Sequence, residues 1–356
     1  MNQSNIQAFS SLLLNWYQKA ARDLPWRHSR DPYEIWISEI MLQQTRVAAV
    51  LGYYDRFLRR FPTVKDLAQA PEEDLMKCWE GLGYYSRARN LKKAAQVIVE
   101  MPEFPLDYQT LLTLPGIGDY TASAISSAFG ERQAAVDGNV LRVITRLYNI
   151  HEDVLKDTTK KEIRKMVQER MPEDPEEIRL FSQAMMELGA TVCVPNGEPS
   201  CDLCPFQADC EAKKQGTIRQ LPHKEPKKAR RKEEKTILVL FQGEKVALQK
   251  RPEKGLLAGL WEFPSMEGKV SEMEIQKFLQ EKDLRILSWR ERRNSIHIFS
   301  HVEWHMTGYA IDVRGDESGY HWVSREELEQ IAIPSAFLRY TEQVRELLPQ
   351  EEIHDL

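Results

Sequence analysis

The period of the hydrophobic pattern changes once along the chain, and this change limits the available folds more than any other feature. From residue 4 to about residue 211, apolar residues recur at spacings of three and four, which is typical of helices that bury one face. After Lys235 the period becomes two, in TILVLF, VALQKR and NSIHIFSHVEWHMTGYAIDV, with helices expected at SEMEIQKFLQEK and VSREELEQI. A chain of 356 residues is expected to hold about two domains. We therefore predict an all-α domain followed by a small α+β domain.

A basic, proline-containing segment, IRQLPHKEPKKARRKEEK, separates the two patterns and has almost nothing to bury. The sequence therefore predicts a helical domain at residues 1–217, a linker at 218–234 and an α+β domain at 235–356. This linker is either a solvated tether or a segment that lies on a polyanion. The net charge of −5 argues neither for nor against a nucleic-acid partner.

The stretch LPGIGDYTASAI, residues 114–125, places two glycines just before a helix. A dinucleotide fingerprint would need a third glycine where Thr121 stands and a strand before it, whereas YQTLLTLP indicates a helix end. The alternative is a hairpin between two helices over about residues 110–125. There Gly116 and Gly118 would let the backbone approach an anion such as a DNA phosphate.

Four of the five cysteines lie at residues 193–210, whereas Cys78 stands alone in a helical pattern and is expected to be a small buried side chain. Four thiolates in so short a loop suit one zinc ion or one iron–sulfur cubane, and their spacing does not separate these two. Disulfides are disfavoured because no secretory signal is visible. No apolar run approaches the ~20 residues of a membrane span.

Two acidic residues stand among apolar ones. Glu39 lies in IWISEIMLQQT, where burial is expected to raise its pKa toward the range of a general acid. Asp137 lies in AAVDGNVLRVITRL, just before Gly138 and Asn139. Glu39 could instead be a partner in a structural ion pair, and an aspartate before a helix is usually an N-cap.

LPGIGDYTASAI, VDGNVLRV, SEIMLQQTRV, GLGYYSRARNL and the cysteine loop together resemble the helix-hairpin-helix DNA glycosylases, and among them the adenine DNA glycosylases of the MutY family. The resemblance extends from RDLPWR through the second domain. One departure is the seven residues VPNGEPS between the first two cysteines, where six are common in the family. Taken as a one-residue insertion, it leaves the implied [4Fe-4S] cluster on four ligands: Cys193, Cys201, Cys204 and Cys210.

The family resemblance implies a monofunctional enzyme that removes adenine from DNA. It assigns Glu39 to protonate the adenine ring, Asp137 to stabilise the cationic sugar and Asn139 to orient the attacking water, with Tyr120 close to the sugar. In relatives that resemble endonuclease III, a lysine stands at the position of Tyr120 and cuts the strand through a Schiff base. Tyrosine cannot form that imine.

The resemblance also assigns residues to binding. It places four residues around the flipped adenine, namely Arg22, Trp26, Leu42 and Gln183, although Trp26 and Leu42 could equally be core. Two wedge residues, Gln44 and Tyr84, would fill the gap, with Thr45 and Leu82 beside the opposite base. The FSH element, Phe299, Ser300 and His301, matches the family's reader of 8-oxoguanine.

The second domain resembles the Nudix-like module of the same family. Its helix SEMEIQKFLQEK lacks the R-E-x-x-E-E carboxylates of hydrolytic Nudix enzymes, so we expect it to bind without hydrolysing. His297, His301 and His305 recur every four residues, and we expect them to share one face of a strand without holding a metal.

The implied partner is double-stranded DNA with A:8-oxoguanine or A:G mispairs. The implied protein is a monomer without a membrane partner, cytoplasmic and nucleoid-associated as in bacteria. Three alternatives remain: a bifunctional glycosylase and lyase, which Tyr120 disfavours, a non-catalytic DNA-binding protein, which Glu39 and Asp137 disfavour, and a nucleotide-pool hydrolase, which the missing carboxylate helix disfavours.

Overall fold

The computed structural model describes residues 3–226, 229–315 and 319–348, with side chains from residue 8 onward. Lys227 and Lys228 of the predicted linker therefore lie outside the described residues. Contacts divide the chain into two units, one formed by residues 1–70 and 89–227 and the other by residues 71–88 and 228–356. In the described part of the chain, no helix is both long and apolar enough to cross a membrane.

The first two hundred residues form helices, as predicted. In chain order they are α1 (Gln3–Ala20), α2 (Pro25–His28), α3 (Pro32–Leu42), α4 (Val47–Arg60), α5 (Val64–Gln69), α6 (Glu72–Trp79), α7 (Ser86–Ile98), α8 (Tyr108–Leu111), α9 (Asp119–Ala128), α10 (Gly138–Leu147), α11 (Asp157–Gln168), α12 (Pro175–Thr191) and α13 (Glu211–Gln215). Short 3₁₀ helices span Cys201–Leu203 and Ile218–Gln220.

Local sequence explains where the long helices begin. Asp31 and Asp174 each precede a proline, and each side chain accepts backbone N–H bonds at the start of α3 or α12. Proline at the first helical position has no N–H to leave unpaired, so Asp-Pro favours a helix start. The faces of α1, α10 and α12 meet in a common core that includes Leu13, Ile144 and Phe181.

The second unit contains a mixed sheet. Its strands are β1 (Arg231–Gln242), β2 (Lys245–Lys250), β3 (Trp261–Glu262), β4 (Ser265–Glu267), β5 (Leu284–Ile298), β6 (Val302–Gly315) and β7 (His321–Val323). The main order is β3-β2-β1-β6-β5, with β4 paired to β1 and β7 to β2. β1 and β6 are parallel, whereas β1 and β2 form the predicted antiparallel hairpin.

Helices cover both faces of this sheet. They are α14 (Glu272–Gln280) on one face, and α15 (Arg325–Gln330) and α16 (Leu338–Leu347) on the other, with a 3₁₀ helix at Ser335–Phe337. The centre of β1 is consequently buried on both sides. TILVLF is a continuous apolar run for this reason, and the predicted alternation does not hold there. The predicted all-α domain and α+β domain are confirmed.

The first strand begins inside the segment predicted as the linker, residues 218–234. β1 begins at Arg231 because residues 231–241 pair with β6 in parallel, starting with Arg231 opposite Val302. The charged side chains of this segment are compatible with a strand because they lie at its exposed end.

Residues 71–88 group with the second unit. The Nζ of Lys77 donates to the carbonyl of Ile331 at 3.1 Å, and Glu80 accepts from the N–H of Ile333 at 2.9 Å. No periodic pattern could reveal this grouping, because these partners lie about 250 residues apart in sequence. The domain boundary predicted between 217 and 218 stays a prediction.

Candidate active site

One cleft of about 1410 Å³ lies in the first unit and is bordered mainly by α3, α9, α10 and α12. It brings together most of the residues that the sequence singled out for catalysis, the adenine pocket and DNA contact. These are Arg22, Trp26, Glu39, Leu42, Gln44, Thr45, Gly118, Tyr120, Asp137, Asn139 and Gln183.

Glu39 projects from α3, a helix most of whose residues are buried. Its Oε2 accepts a hydrogen bond from the Tyr120 hydroxyl at 3.1 Å. Burial raises the pKa of Glu39 to about 7, the hydrogen bond from Tyr120 lowers it, and the charge of Asp137 raises it. Glu39 is therefore able to hold or release a proton near neutral pH, as a general acid must.

Tyr120 stands in the first turn of α9, immediately after the glycine hairpin. Its hydroxyl contacts both Glu39 and the sulfur of Met186, which lies 3.2 Å away. Burial and the neighbouring charges of Glu39 and Asp137 raise the pKa of Tyr120 well above its usual value. The phenol consequently stays protonated and serves as a hydrogen-bond donor.

Asp137 is the N-cap of α10, which is the usual role of an aspartate just before a helix. One carboxylate oxygen accepts from the N–H groups of Asn139 and Val140 at 2.9 and 2.8 Å. The other accepts from the side-chain amide of Asn139 at 2.6 Å. Burial raises the pKa of Asp137, while these hydrogen bonds and the charge of Arg142 oppose the shift. Asp137 therefore caps α10 and also influences Glu39 through its charge.

Asn139 is held between Asp137 and Arg142. Its side-chain oxygen accepts from Arg142 Nη2 at 2.9 Å, and the same nitrogen donates to the carbonyl of Gly189 at 2.7 Å. A Cβ on Gly189 would lie 2.5 Å from the Cβ of Asn139, so only glycine lets α12 approach α10 here. Arg142 Nε also donates to the carbonyl of Cys193 at 2.6 Å, which ties this group to the cysteine loop.

Glu187 was missed by the sequence analysis. Its side chain is fully buried on α12 and accepts bonds from Arg22 Nε at 2.8 Å and from Arg27 Nη2 at 2.6 Å. Burial opposes its ionisation, but the bonds from these arginines lower the pKa of Glu187 to about 2. The cleft therefore holds one carboxyl poised near neutrality and one that is permanently charged. The available signal was a lone acid inside the apolar segment MMELGA.

The other residues predicted for the adenine pocket border the same cleft. Gln183 accepts from the Tyr17 hydroxyl at 2.9 Å, which orients its amide. Trp26 is 7 % exposed and packs edge-on against Tyr54, so it also belongs to the core. Leu42 is partly exposed at the end of α3. Trp26 therefore both borders the cleft and belongs to the core.

The glycine hairpin connects α8 and α9, as predicted. Gly116 has a φ of +77°, and a Cβ there would lie 2.5 Å from the Cβ of Asn90. Gly118 is the N-cap of α9 without a side-chain cap, and a Cβ there would meet nothing within 4 Å. Gly116 is therefore required by the fold, whereas a side chain at Gly118 would point into open space.

Both residues predicted as wedges adopt the left-handed backbone region. Gln44 has a φ of +57° in the turn after α3, and Tyr84 has a φ of +48°. Such strain at residues other than glycine is concentrated at functional sites. Thr45 follows Gln44 in the cleft, while Tyr84 and the buried Leu82 belong to the second unit. In that unit, the Tyr84 hydroxyl lies 3.0 Å from the Ser300 hydroxyl.

The FSH element forms the turn between β5 and β6. The carbonyl of Phe299 accepts from Arg230 Nε at 3.1 Å, and that of His301 accepts from the N–H of Arg231 at 3.2 Å. The ring of Phe299 packs edge-on against Trp304 with centroids 4.8 Å apart. Ser300 is thus exposed at the tip of a turn whose two flanks are anchored.

The expectation that three histidines share one strand face is wrong. His297 lies on β5, His301 in the turn and His305 on the antiparallel strand β6, where it lies opposite Ile296. A spacing of four does not distinguish one strand from two strands joined by a turn. His305 instead bonds to Glu303 at 2.6 Å.

The cysteines at 193–210 gather in one partly buried loop beside α10. Arg146 Nη1 donates to the Cys193 sulfur at 3.3 Å. Burial, with smaller contributions from the charges of Cys193, Cys210 and Cys201, raises the pKa of Cys204 to about 11. Among the described residues, no group of three or more His, Cys, Asp or Glu side chains is arranged to hold a metal ion. Four soft sulfur donors in one loop still match the chemistry of zinc and iron–sulfur centres.

Two family models match the chain. Residues 37–172 match the HhH-GPD superfamily of base excision DNA repair proteins, and residues 236–343 match the NUDIX domain. The first match covers the glycine hairpin, Glu39 and Asp137. The second confirms that the α+β domain is Nudix-like.

Curated relatives match most of the chain. The adenine DNA glycosylase of Homo sapiens is 34% identical, with 94% of this chain and 73% of that protein covered. The adenine DNA glycosylase of Buchnera aphidicola from Acyrthosiphon pisum is also 34% identical, with 84% and 85% covered.

Solved structures match the helical part. A thermostable thymine-DNA glycosylase is 29% identical, with a TM-score of 0.53, 60% of this chain covered and 100% of that chain covered. A non-covalent complex of endonuclease III with DNA is 26% identical, with a TM-score of 0.51 and coverages of 61% and 99%. Glycosylases of different base specificity therefore share this fold, so the fold alone does not determine which base is removed.

Proposed function

Because the chain belongs to the adenine DNA glycosylase family, we propose that it excises adenine opposite 8-oxoguanine or guanine from duplex DNA by hydrolysis and leaves the strand uncut. The chain is a DNA glycosylase of base excision repair. The identity of the opposite base and the lack of strand cutting are the parts that go beyond the family.

The observation that carries the proposal is the pair formed by Glu39 and Tyr120 in the cleft. Adenine leaves poorly as an anion, so a proton on its ring is needed before the glycosidic bond breaks. The pKa of Glu39, about 7, allows this carboxyl to donate that proton near neutral pH. The Tyr120 hydroxyl donates a hydrogen bond to one oxygen of the Glu39 carboxyl and so orients this group.

Asp137 would stabilise the oxocarbenium-like sugar that remains. Its oxygens are already fixed by the start of α10 and by Asn139, so its charge needs no reorientation during the reaction. Asn139, itself fixed by Arg142, would orient the water that attacks the sugar. We assign these roles to Asp137 and Asn139, and a place beside the sugar to Tyr120.

The adenine must leave the base stack to reach this cleft. We assign Arg22, Trp26, Leu42 and Gln183 to its pocket and add Glu187, because its buried carboxylate fixes the guanidinium of Arg22 there. Gln44 and Tyr84 are assigned to the distorted DNA as wedges, with Thr45 and Leu82 beside the opposite base. Gly116 and Gly118 are assigned to the hairpin that receives a phosphate.

The first test is base release from duplexes containing A:8-oxoguanine, A:G or thymine glycol, with and without alkali. We expect release from the two adenine duplexes, with strand breaks only after alkali. Borohydride should trap no covalent adduct, because the Tyr120 phenol cannot form an imine with the sugar. Efficient trapping, or cutting at thymine glycol, would instead favour a bifunctional glycosylase and lyase.

The turn at Phe299, Ser300 and His301 is the proposed reader of 8-oxoguanine. The 8-oxo base differs from guanine by a hydrogen on N7 and an oxygen on C8, and a hydroxyl can test both. We expect Ser300→Ala to lower the preference for A:8-oxoguanine over A:G by up to about tenfold, as one lost hydrogen bond would. Ser288→Ala, which removes a hydroxyl on β5 away from this turn, is the control. Equal preference in all three proteins would exclude Ser300 as a reader.

Relatives of the endonuclease III and MutY type carry 4Fe-4S clusters, and we propose that Cys193, Cys201, Cys204 and Cys210 hold one here. The purified protein should be brown, with about four irons per chain. Cys201→Ser should lose iron and stability, whereas Cys78→Ser, outside the loop, should retain the iron. A colourless protein with one zinc would contradict the cluster and leave the glycosylase assignment unaffected.

A further inference from the structure

The site proposed to bind a DNA phosphate, at the start of α9, contains an acidic residue. Asp119 is the first residue of α9, directly between Gly118 and Tyr120. Its side chain is 61% exposed and lies on the border of the cleft. An anionic side chain at a helix N-terminus interacts with the same unpaired N–H groups that would bind a phosphate, and it repels a second anion.

Arg164, on α11, holds this carboxylate. One nitrogen of its guanidinium forms an ion pair with Asp119, and the other donates to the Ser123 hydroxyl at 2.9 Å. The Tyr108 hydroxyl also donates to Asp119, and the guanidinium lies over the Tyr108 ring, 5.3 Å from its centroid. Residues from α8 and α11 therefore fix the carboxylate, and Ser123 on α9 orients the guanidinium.

We propose that Arg164 is a positioning residue that neutralises and fixes Asp119, so that a DNA phosphate can bind at the start of α9. This inference rests on the proposed function, because it requires duplex DNA at the glycine hairpin. The open space in front of Gly118 gives the phosphate access. Lys160 and Lys161 of α11 line the cleft as well, although Lys160 also pairs with Asp157 at 3.3 Å.

Coulomb repulsion gives the expected loss of DNA affinity when Asp119 has no cationic partner. An unpaired carboxylate about 5 Å from a phosphate, in a surface environment between water and protein, weakens binding by about tenfold. Salt screens this repulsion, so the effect should shrink at high ionic strength.

The experiment measures duplex affinity for five full-length proteins: wild type, Arg164→Met, Asp119→Asn, the double variant, and Lys165→Met. Lys165 is the matched control, because it follows Arg164 on α11, carries the same charge and does not line the cleft. We expect Arg164→Met to weaken binding about tenfold at low salt and Lys165→Met less than twofold. The double variant should bind within about twofold of Asp119→Asn.

Failure of rescue by Asp119→Asn would overturn the proposal, because Arg164 would then act as a packing element or touch the phosphate itself. An equal loss in Lys165→Met would also overturn it, since any lost cation would then suffice. Melting temperatures of the variants separate unfolding from weak binding. If the wild type binds no duplex, the proposed function fails first, and the two failures remain distinguishable.

Discussion

Replacing Glu39 with glutamine is expected to slow adenine release by about 10²- to 10⁴-fold, the contribution typical of a general acid. Glutamine keeps the shape and can still accept the Tyr120 hydrogen bond, but it has no acidic proton to give to the base. Duplex affinity should change little, because the proton is needed only as the bond breaks. Single-turnover release from an A:8-oxoguanine duplex measures the first quantity, and equilibrium binding measures the second.

Glu34→Gln is the matched control, because Glu34 lies on the same helix but does not line the cleft. It should release adenine at nearly the wild-type rate. Turnover of Glu39→Gln within tenfold of wild type would remove Glu39 from the role of acid.

The same carboxyl sets the alkaline side of the pH profile. Only protonated Glu39 can act, and its pKa is about 7, so the rate should fall about tenfold per unit as the pH rises above that value. The free energy of unfolding should also depend on the ionisation of Glu39. The folded chain holds this proton more tightly than the unfolded chain, so ionisation of Glu39 costs stability as the pH rises from 4.5 through 7. Glu39→Gln should therefore be more stable at pH 8, by about 1–3 kcal/mol.

Much of the architecture follows from local sequence. The change of hydrophobic period separates the helices from the sheet, and Asp-Pro pairs mark the starts of α3 and α12. The glycine hairpin and the position of Asp137 before α10 could likewise be predicted, because turns and caps depend on neighbouring residues.

What the sequence could not supply depends on distant partners. The segment MMELGA marks Glu187 as a lone acid, but its role depends on Arg22 and Arg27, which are 165 and 160 residues away. The early start of β1 at Arg231 depends on β6, and the two strands that separate His297 from His305 depend on a turn at Ser300. Periodicity reports the face a residue occupies, but it does not report which other element meets that face.

Replacing Asp137 with asparagine is expected to slow adenine release by about 10²- to 10³-fold, as when one preorganised electrostatic contact to the transition state is removed. The fold should persist, because asparagine caps helices about as well as aspartate and can still accept from the N–H groups of Asn139 and Val140. Asp174→Asn is the matched control, since Asp174 caps α12 in the same way and does not line the cleft.

The pH profile separates a lost catalytic charge from a lost cap. The charge of Asp137 raises the pKa of Glu39, so removing that charge lets Glu39 ionise more easily. The residual activity of Asp137→Asn should therefore begin its decline at a lower pH than that of the wild type. A variant damaged only at the helix cap would melt at a lower temperature and keep the wild-type profile. Asp174→Asn should keep both its rate and its profile. If Asp137→Asn releases adenine within tenfold of wild type, with an unshifted profile, then Asp137 serves α10 alone and another group must stabilise the cationic sugar.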